Sequence, residues 1–575
     1  VSRSREHAQS DSFRSGKLVS LFSTLKNNGE EHKSVQGVVN RVRDNEMTIT
    51  LTCDDLPLWV HDGLLGVQLL FDENSYKEME YALRQVISGE NKRLQELSSV
   101  ILGKQEAKFH SDVEEHNDSL NEQQNCAFNK VLAAKDVAII HGPPGTGKTT
   151  TTVECILEIL KNEHQILVCA PSNAAVDLLV EKLCEREIST VRIGHPARVT
   201  QEAINETLDA KIALHKDYKT LRNLKKKAEE YFVMGGKWKR NFGKDDREQR
   251  KLLLSEARKL KQEAEKLSIF ISSNVIEKSQ VVCSTLIGAS NMRLRGVTFN
   301  TVFIDEAGQA LEPACWVPIL KCNRVIFAGD HQQLPPTVKS QEAGKKGLRT
   351  TLFEKAIQRN EVDVMLTEQY RMHENIMKFS SKLFYSGNLV ANSKVKNWLN
   401  FKGDLPVEFI DTAGTGYNES VDPDSRSTYN SEEARLLVKH LSIYMEYARN
   451  QSMEDEPSIG IVTPYRAQVE RIEKEMLDQS VRSSSGKKIK ISTVDSFQGQ
   501  ERDVIYISMV RSNDEGQIGF LADERRMNVA MTRARKKLVI VGDTATICRT
   551  PFFEKLVDYV NEISAYRSAF EYMYD

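Results

Sequence analysis

The sequence predicts an α/β protein: two tandem parallel-sheet domains, with a small β-barrel and a helical insertion as accessory parts. Three observations predict it. From Leu120 onward, apolar strand-like runs alternate with helical periodicities, the mark of a parallel sheet with crossover helices. The alternation starts again in a second set beyond about residue 346. Finally, six short motifs fall in one fixed order across both sets: HGPPGTGKTT (His141–Thr150), IDEAGQA (Ile304–Ala310), GDHQQLPP (Gly329–Pro336), QYRMH (Gln369–His373), VDSFQGQE (Val494–Glu501) and NVAMTRAR (Asn528–Arg535).

The elements follow in chain order. Residues 1–72 read as short alternating strands, GKLVSLF, SVQGVVNRV and EMTITLT, with a turn at Arg43-Asp44-Asn45, and suggest a β-barrel. Residues 73–110 turn helical, with Met79, Leu83, Val86 and Ile87 at three- and four-residue spacing, and read as a stalk helix. Residues 111–345 form the first sheet domain, with strands at VAIIH, ILVCA, VVCST, TVFID and RVIFAGD. A charge-rich helical insert interrupts it at about 205–272, and Gly344-Lys345-Lys346-Gly347 marks a linker. Residues 346–575 form the second domain, with strands at VEFID, SIGIV, KISTV, VIYIS and LVIVG.

Bulk composition fits this plan. A chain of 575 residues suits two to four domains, and 40% hydrophobic residues suffice for real cores. No run of 18 apolar residues occurs, so no membrane span is expected. Nine cysteines without a CxxC pair argue against zinc and against a disulfide framework. Cys169 and Cys283 sit in apolar runs and read as buried thiols, so a reducing compartment, cytoplasmic and/or nuclear, is expected. The chain opens on Val1 and reads as a fragment from which any targeting signal would have been cut away. A net charge of −2 confines any nucleic-acid site to a local groove.

The motifs carry chemistry. HGPPGTGKTT has phosphate-loop spacing, so Gly142, Pro143, Pro144, Gly145, Thr146, Gly147, Lys148, Thr149 and Thr150 are the nucleotide-cradling residues. Glycines let backbone N–H groups turn inward, Lys148 reaches the β/γ-phosphates, and the Thr149 hydroxyl suits Mg²⁺. Asp305 and Glu306 end an apolar strand: the first carboxylate suits Mg²⁺, the second can polarise an attacking water. Phosphoryl transfer also needs cationic charge at the γ-phosphate, for which Arg371 and Arg533 in the second domain are the arginine-finger candidates. A phosphate-loop kinase would have one α/β unit, and the second set of motifs excludes it.

With LNEQQ (Leu120–Gln124), APSNAAVD (Ala170–Asp177), RIGHPAR (Arg192–Arg198), IVTPYRAQV (Ile461–Val469) and VRSN (Val510–Asn513) added, the chain resembles superfamily 1 helicases of the up-frameshift-like branch over about 120–545. RIGHPAR points to the narrower group of immunoglobulin-mu-binding helicase and DNA helicase A. The resemblance implies two RecA-like domains that use ATP and Mg²⁺. Gln124 would contact adenine, Asp305 Mg²⁺, Glu306 would be the catalytic base, and Gln333 would sense the γ-phosphate and attacking water. Tyr370 would stack on the base and Glu501 bind the ribose.

The implied activity is ATP-driven 5′-to-3′ movement on single-stranded DNA or RNA with unwinding of duplexes. The alternative is a nucleic-acid-stimulated ATPase clamp that remodels ribonucleoprotein with little unwinding. Single-stranded and tailed duplex nucleic acid are the expected partners of a monomer. The strand would lie over Ser172, Asn173, Ser284, Thr285, Thr463, Pro464 and Tyr465, short polar groups at strand ends suited to phosphate and sugar. The insert offers GGKWKRNFGK (Gly235–Lys244), where Trp238 and Phe242 could stack bases or simply cap a solvated hairpin. The chain departs from the family in Gln500, where relatives often carry Arg or Lys, and it ends at Asp575 without an R3H-like module or zinc finger.

Overall fold

The computed structural model describes residues 13, 17–23, 34–43, 46–51, 53, 56–61, 65–70, 73–111, 113–194, 199–236, 243–338, 340–359, 361–423, 425–451, 456–481, 489–497 and 499–573. Residues 44–45 of the expected turn, 195–198 of RIGHPAR and 237–242 of the insert, including Trp238, lie outside them. The fold class is the α/β one expected, with mostly parallel sheets. Compactness divides the chain into two units, one of residues 1–100, 156–305 and 312–326, the other of 101–155, 306–311 and 327–575.

The first unit begins with a four-stranded antiparallel sheet in the order Glu46–Leu51, Ser34–Arg43, Leu18–Ser23, Leu65–Leu69. Val19, Val39 and Met47 form its small core. The outer strands are not paired with each other among the described residues. The expected stalk helix is two helices, Glu73–Ser88 and Lys92–Ile101. They break at Gly89, whose φ of +71° is left-handed and ends a helix readily on glycine.

Four parallel strands follow, in the order Phe299–Ile304, Ile166–Ala170, Val281–Thr285, Thr190–Ile193. Ile166–Ala170 and most of its neighbours are wholly buried, as strands covered on both faces must be. The insert is longer than the expected 205–272: Leu208–Leu214 leads into a hairpin of Tyr218–Gly236 and Lys244–Lys278. The hairpin is closed by Leu221, Ala264 and Ile271 at helical spacing.

The second unit holds the strand Val137–His141, paired in parallel with Asp363–Met365. It also holds a six-stranded parallel sheet in the order Lys490–Thr493, Ile459–Thr463, Arg502–Ser508, Ala534–Gly542, Val407–Asp411, Tyr566–Ser568. Successive side chains of a strand face opposite ways. Accordingly Phe409, Val462, Ile505 and Ile540 join one apolar cluster, while Ile410, Ile461, Tyr506 and Val541 join the other. Gly344–Gly347, read as a linker, lies in the helical turn Gly344–Leu348, which kinks at Gly347 with φ +108°.

One buried ion pair explains two of the sequence motifs in the first unit. Arg192 of RIGHPAR meets Asp177 of APSNAAVD at 2.9 Å with both side chains buried. Arg192 also donates to Asn173 Oδ1 at 2.8 Å and to the Ile193 carbonyl at 2.5 Å. Asp177 accepts from the Thr200 amide at 2.9 Å. Removing one member strands a buried charge. Arg192→Ala or Asp177→Ala should therefore each lower unfolding free energy by about 3–5 kcal/mol. The double variant should lose less than the sum, a coupling that urea denaturation of the three proteins will measure.

Candidate nucleotide site

The second unit gathers every sequence-assigned nucleotide residue except Asp305. Its foundation is local. Asn121 caps the helix Glu122–Ala133: its side chain accepts the Gln124 amide at 2.8 Å, and Gln124 Oε1 accepts the Asn121 amide at 3.0 Å. The capping box leaves Gln124 Nε2 to donate to the Thr146 carbonyl at 3.0 Å. Gln124 is thus held against the loop, and it is almost fully buried.

The strand Val137–His141 delivers the chain to the loop 142–147, where the Gly142 amide donates to the Gly329 carbonyl at 2.9 Å. Gly145 and Gly147 have φ of +77° and +79°, which an L side chain rarely adopts. Space forbids a side chain as firmly: a Cβ on Gly145 would lie 2.6 Å from Arg371 Cβ, and one on Gly147 would lie 2.5 Å from Gln124 Nε2. The helix Lys148–Ile159 then opens with its N-terminal amides toward the loop, a favourable setting for an anion.

Lys148 and Glu306 form an ion pair at 2.5 Å. Glu306 is not glycine, yet its φ is +52°. Such a left-handed residue costs about 1–3 kcal/mol, and the strain fixes where the carboxylate points. Its other oxygen accepts from Gln309 Nε2 at 2.7 Å. Asp305 belongs to the first unit: it is buried, just after strand Phe299–Ile304, and its amide donates to the Cys169 carbonyl at 2.8 Å.

The remaining residues come from far along the chain. The Tyr370 amide donates to the Gly145 carbonyl at 2.8 Å. The Tyr370 ring is 39% exposed, open enough to receive a base, and its hydroxyl donates to Glu368 at 2.7 Å while accepting from Asn121 at 2.8 Å. Burial and the Glu368 carboxylate push that phenol above its usual range, although Asn121 pulls the other way. Arg371 pairs with Glu501 at 2.6 Å and donates to the Thr532 carbonyl at 3.2 Å. Arg533 is buried and donates to Gln333 Oε1 at 3.4 Å. Burial, then the neighbouring Arg371 charge, push its guanidinium down to about 10, which leaves it protonated at neutral pH. Its Nε is buried without a hydrogen-bond partner.

Several residues that complete the site were not singled out in the sequence. Asp330 accepts from Gln333 at 2.9 Å, Tyr385 at 2.7 Å and the Gln332 amide at 3.0 Å, and meets His141 at 3.2 Å. Burial works to raise the Asp330 carboxyl, but those hydrogen bonds and the His141 charge hold it below its usual range. Gln369 is buried and accepts the amides of Arg371 and Met372, both at 2.8 Å. Asp330 and Gln369 lie inside the motifs GDHQQLPP and QYRMH, which was the available signal.

The nucleic-acid candidates divide between the units. Ser172 caps the helix Asn173–Cys184 by accepting the Ala175 amide, and Asn173 accepts from Arg192. Ser284 is buried and donates to the Thr285 carbonyl, and Thr285 Oγ1 accepts the Gly288 amide. In the second unit Thr463 is buried, and so is the Tyr465 ring. The Tyr465 hydroxyl accepts from Arg511 at 3.1 Å and from the Phe520 amide at 3.3 Å. Pro464 between them is partly exposed.

The geometry yields two expectations. Lys148→Ala should abolish tight binding of a fluorescent ATP analogue, whereas Glu306→Gln should bind it at least as well as wild type while losing turnover, because the lysine is released from its carboxylate partner. Tyr370→Ala should weaken that binding by about 1–3 kcal/mol, the size of base–aromatic stacking. Tyr370→Phe should be nearly silent, since Asn121 keeps Glu368 as partner at 3.2 Å. Equilibrium titration of the four variants checks both.

Comparison with known proteins matches two families, each described as an AAA domain, to residues 119–341 and 348–545. DNA-binding protein SMUBP-2 of Mesocricetus auratus is 35% identical over 98% of this chain and 57% of its own length. DNA polymerase alpha-associated DNA helicase A of Schizosaccharomyces pombe is 34% identical over 97% of this chain and 85% of its own. Regulator of nonsense transcripts 1 homolog of Neurospora crassa is 33% identical over 76% of this chain and 38% of its own. The chain thus spans little more than half the length of SMUBP-2.

Proposed function

Because the chain belongs to the superfamily 1 helicases of the up-frameshift-like branch, we propose that it hydrolyses ATP to move 5′-to-3′ on single-stranded DNA or RNA and to unwind duplexes. The observation that carries this reading is the convergence of Arg371 and Arg533 on the phosphate loop and on Gln333. A simple nucleotide-binding protein has no need of two arginines supplied by a second set of motifs.

The residues divide the work as follows. The loop amides and Lys148 hold the phosphates, and Lys148 must leave Glu306 to do so. Glu306 is then free to accept a proton from the attacking water. Gln333, held by Asp330, orients that water, and the two guanidinium groups meet charge that develops at the γ-phosphate. Tyr370 covers the base and Glu501 reaches the ribose once Arg371 turns to the phosphate. The Thr149 hydroxyl in the second unit and the Asp305 carboxylate in the first are each hard oxygen donors of the kind that suits Mg²⁺, which would supply charge neutralisation.

Strand contacts are proposed for each unit by itself: the ends 172–173 and 284–285 in the first, and 463–465 in the second. Ser284 and Thr463 are buried, whereas Ser172 is exposed and Asn173, Thr285 and Pro464 are partly exposed. Such contacts grip phosphate and sugar without reading sequence. We propose a reducing compartment, the cytoplasm or nucleus, in keeping with its nine free cysteines. No helix among the described residues is long and apolar enough to cross a membrane.

Strand displacement with ATP and Mg²⁺ tests the reading: a 5′-tailed duplex should open and a 3′-tailed one should not. Stimulated hydrolysis without displacement on either would replace unwinding by clamping. Arg371→Ala and Arg533→Ala should each lower stimulated turnover by about 10³-fold or more, with ATP affinity far less changed. Lysine should rescue poorly, lacking the planar fork. Normal stimulated turnover in both alanine variants would rule out the finger role, and thermal melting shows whether either has merely lost its fold.

A further inference from the structure

A second buried polar network lies in the second unit, built on Glu433, whose side chain has no solvent exposure. Its carboxylate accepts the Val510 amide through both oxygens, at 2.9 and 3.1 Å, and the Ser508 hydroxyl at 2.5 Å. Val510 has φ +71°, and a β-branched residue in the left-handed region is an outlier that its surroundings must enforce. Glu433 sits in the first turn of the helix Ser431–Asn450, whose cap Asn430 also donates to the Val510 carbonyl at 3.4 Å. Gln468 joins the network, donating to Ser508 Oγ at 2.9 Å and to the Asn430 carbonyl at 3.1 Å. Gln468 lies on the helix Arg466–Asp478, which begins directly after the loop 463–465. On the other side, Arg511 follows Val510 and donates to the Tyr465 hydroxyl at 3.1 Å.

We propose that Glu433 is a positioning residue for nucleic-acid grip: it holds Val510 in its left-handed turn and so fixes Arg511, Tyr465 and the loop 463–465 in one arrangement. The role rests on the strand path proposed above. The carboxylate form is the one that can accept from Val510 twice and from Ser508. Burial pushes the Glu433 carboxyl up to about 7, against the hydrogen bonds from Ser508 and Val510, and Asp543 adds to the rise. Asp543, at the end of strand Ala534–Gly542, faces it from that side; Arg511 and Glu419, paired at 2.9 Å, lie across the turn.

The folded value lies above the ordinary 4.5, so proton uptake by Glu433 stabilises the fold at low pH, and this contribution is lost as pH rises through about 7. Grip runs the opposite way, strengthening as Glu433 ionises. A merely structural role would move both in the same direction. Burial holds the imidazoles of His331, His373 and His440 below the usual histidine range.

The experiment is fluorescence anisotropy of a short labelled single strand, RNA and DNA in parallel, between about pH 6 and pH 8, with melting measured on the same samples. Wild type should gain affinity on the order of tenfold per pH unit below the transition, the linkage limit for one proton. Glu433→Gln should bind more weakly with a flat profile. Val510→Gly, which tolerates the left-handed turn without enforcement, should keep grip with a diminished slope and serves if Glu433→Gln does not fold. A wild-type slope in folded Glu433→Gln, or in Val510→Gly, overturns the role. Failure of wild type to bind at every pH removes the strand-binding reading itself, and this role with it.

Discussion

Asp330 is the group on which the nucleotide site depends. It is buried, and four donors surround it: His141 at the end of the strand feeding the phosphate loop, the Gln332 amide, Gln333 and Tyr385. A buried carboxylate without partners would neutralise itself, and here the hydrogen bonds reverse that tendency and keep it ionised. Through Gln333 it reaches Arg533, and through Tyr385 it reaches Asn528, which donates to the Tyr385 hydroxyl at 3.1 Å. Segments separated by about two hundred residues are thereby referred to one charge. A shift at any of these donors is felt by the others, because a packed interior has discrete arrangements rather than a continuum.

Around that centre, functional groups are held in positions the chain does not favour by itself. Glu306 and Val510 both carry positive φ without being glycine, and each is locked by a buried or half-buried partner: Lys148 and Gln309 for the first, Glu433 for the second. Strain of this kind persists only where the surrounding structure over-determines it. Lys148 and Glu306 are also each other's partner, so the phosphate-binding cation and the base are held together by one contact. The buried arginine Arg533 follows the same logic. Its charge is costly to bury, and the neighbouring Arg371 makes it costlier, while Glu306 and Glu501 offset part of the penalty.

Legibility in the sequence followed the range of the interaction. The phosphate loop could be read directly, because glycine at 145 and 147 answers a backbone requirement within a few residues. Parallel strands were legible as apolar runs, since a strand covered on both faces leaves no polar alternation to misread. The accessory parts were read less well. Alternation in the first seventy residues showed strands but not whether their edges close, and helical periodicity from Ser75 ran through Gly89 without revealing the break there. The compact units also divide elsewhere than the motif spacing suggests, with the phosphate loop grouped with the second sheet.

By itself, then, the sequence determined the α/β class, the nucleotide chemistry and which motifs carry it, because each depends on residue type and short spacing. Only the tertiary structure decided which side chains are free to act. Tyr465 is polar and aromatic in sequence, yet its ring is buried and its hydroxyl already bonded, while Tyr370 keeps an open face. Arg192 stands in the sequence only as part of the motif RIGHPAR, and the fold pairs it with Asp177, fifteen residues earlier, within the core. Glu433 is one acid in a pair on a helix, and nothing nearby in the chain says that it meets Val510 seventy-seven residues on. Hydrogen-bond saturation and desolvation are set by what packs around a group, and that is written in contacts between segments far apart in the chain.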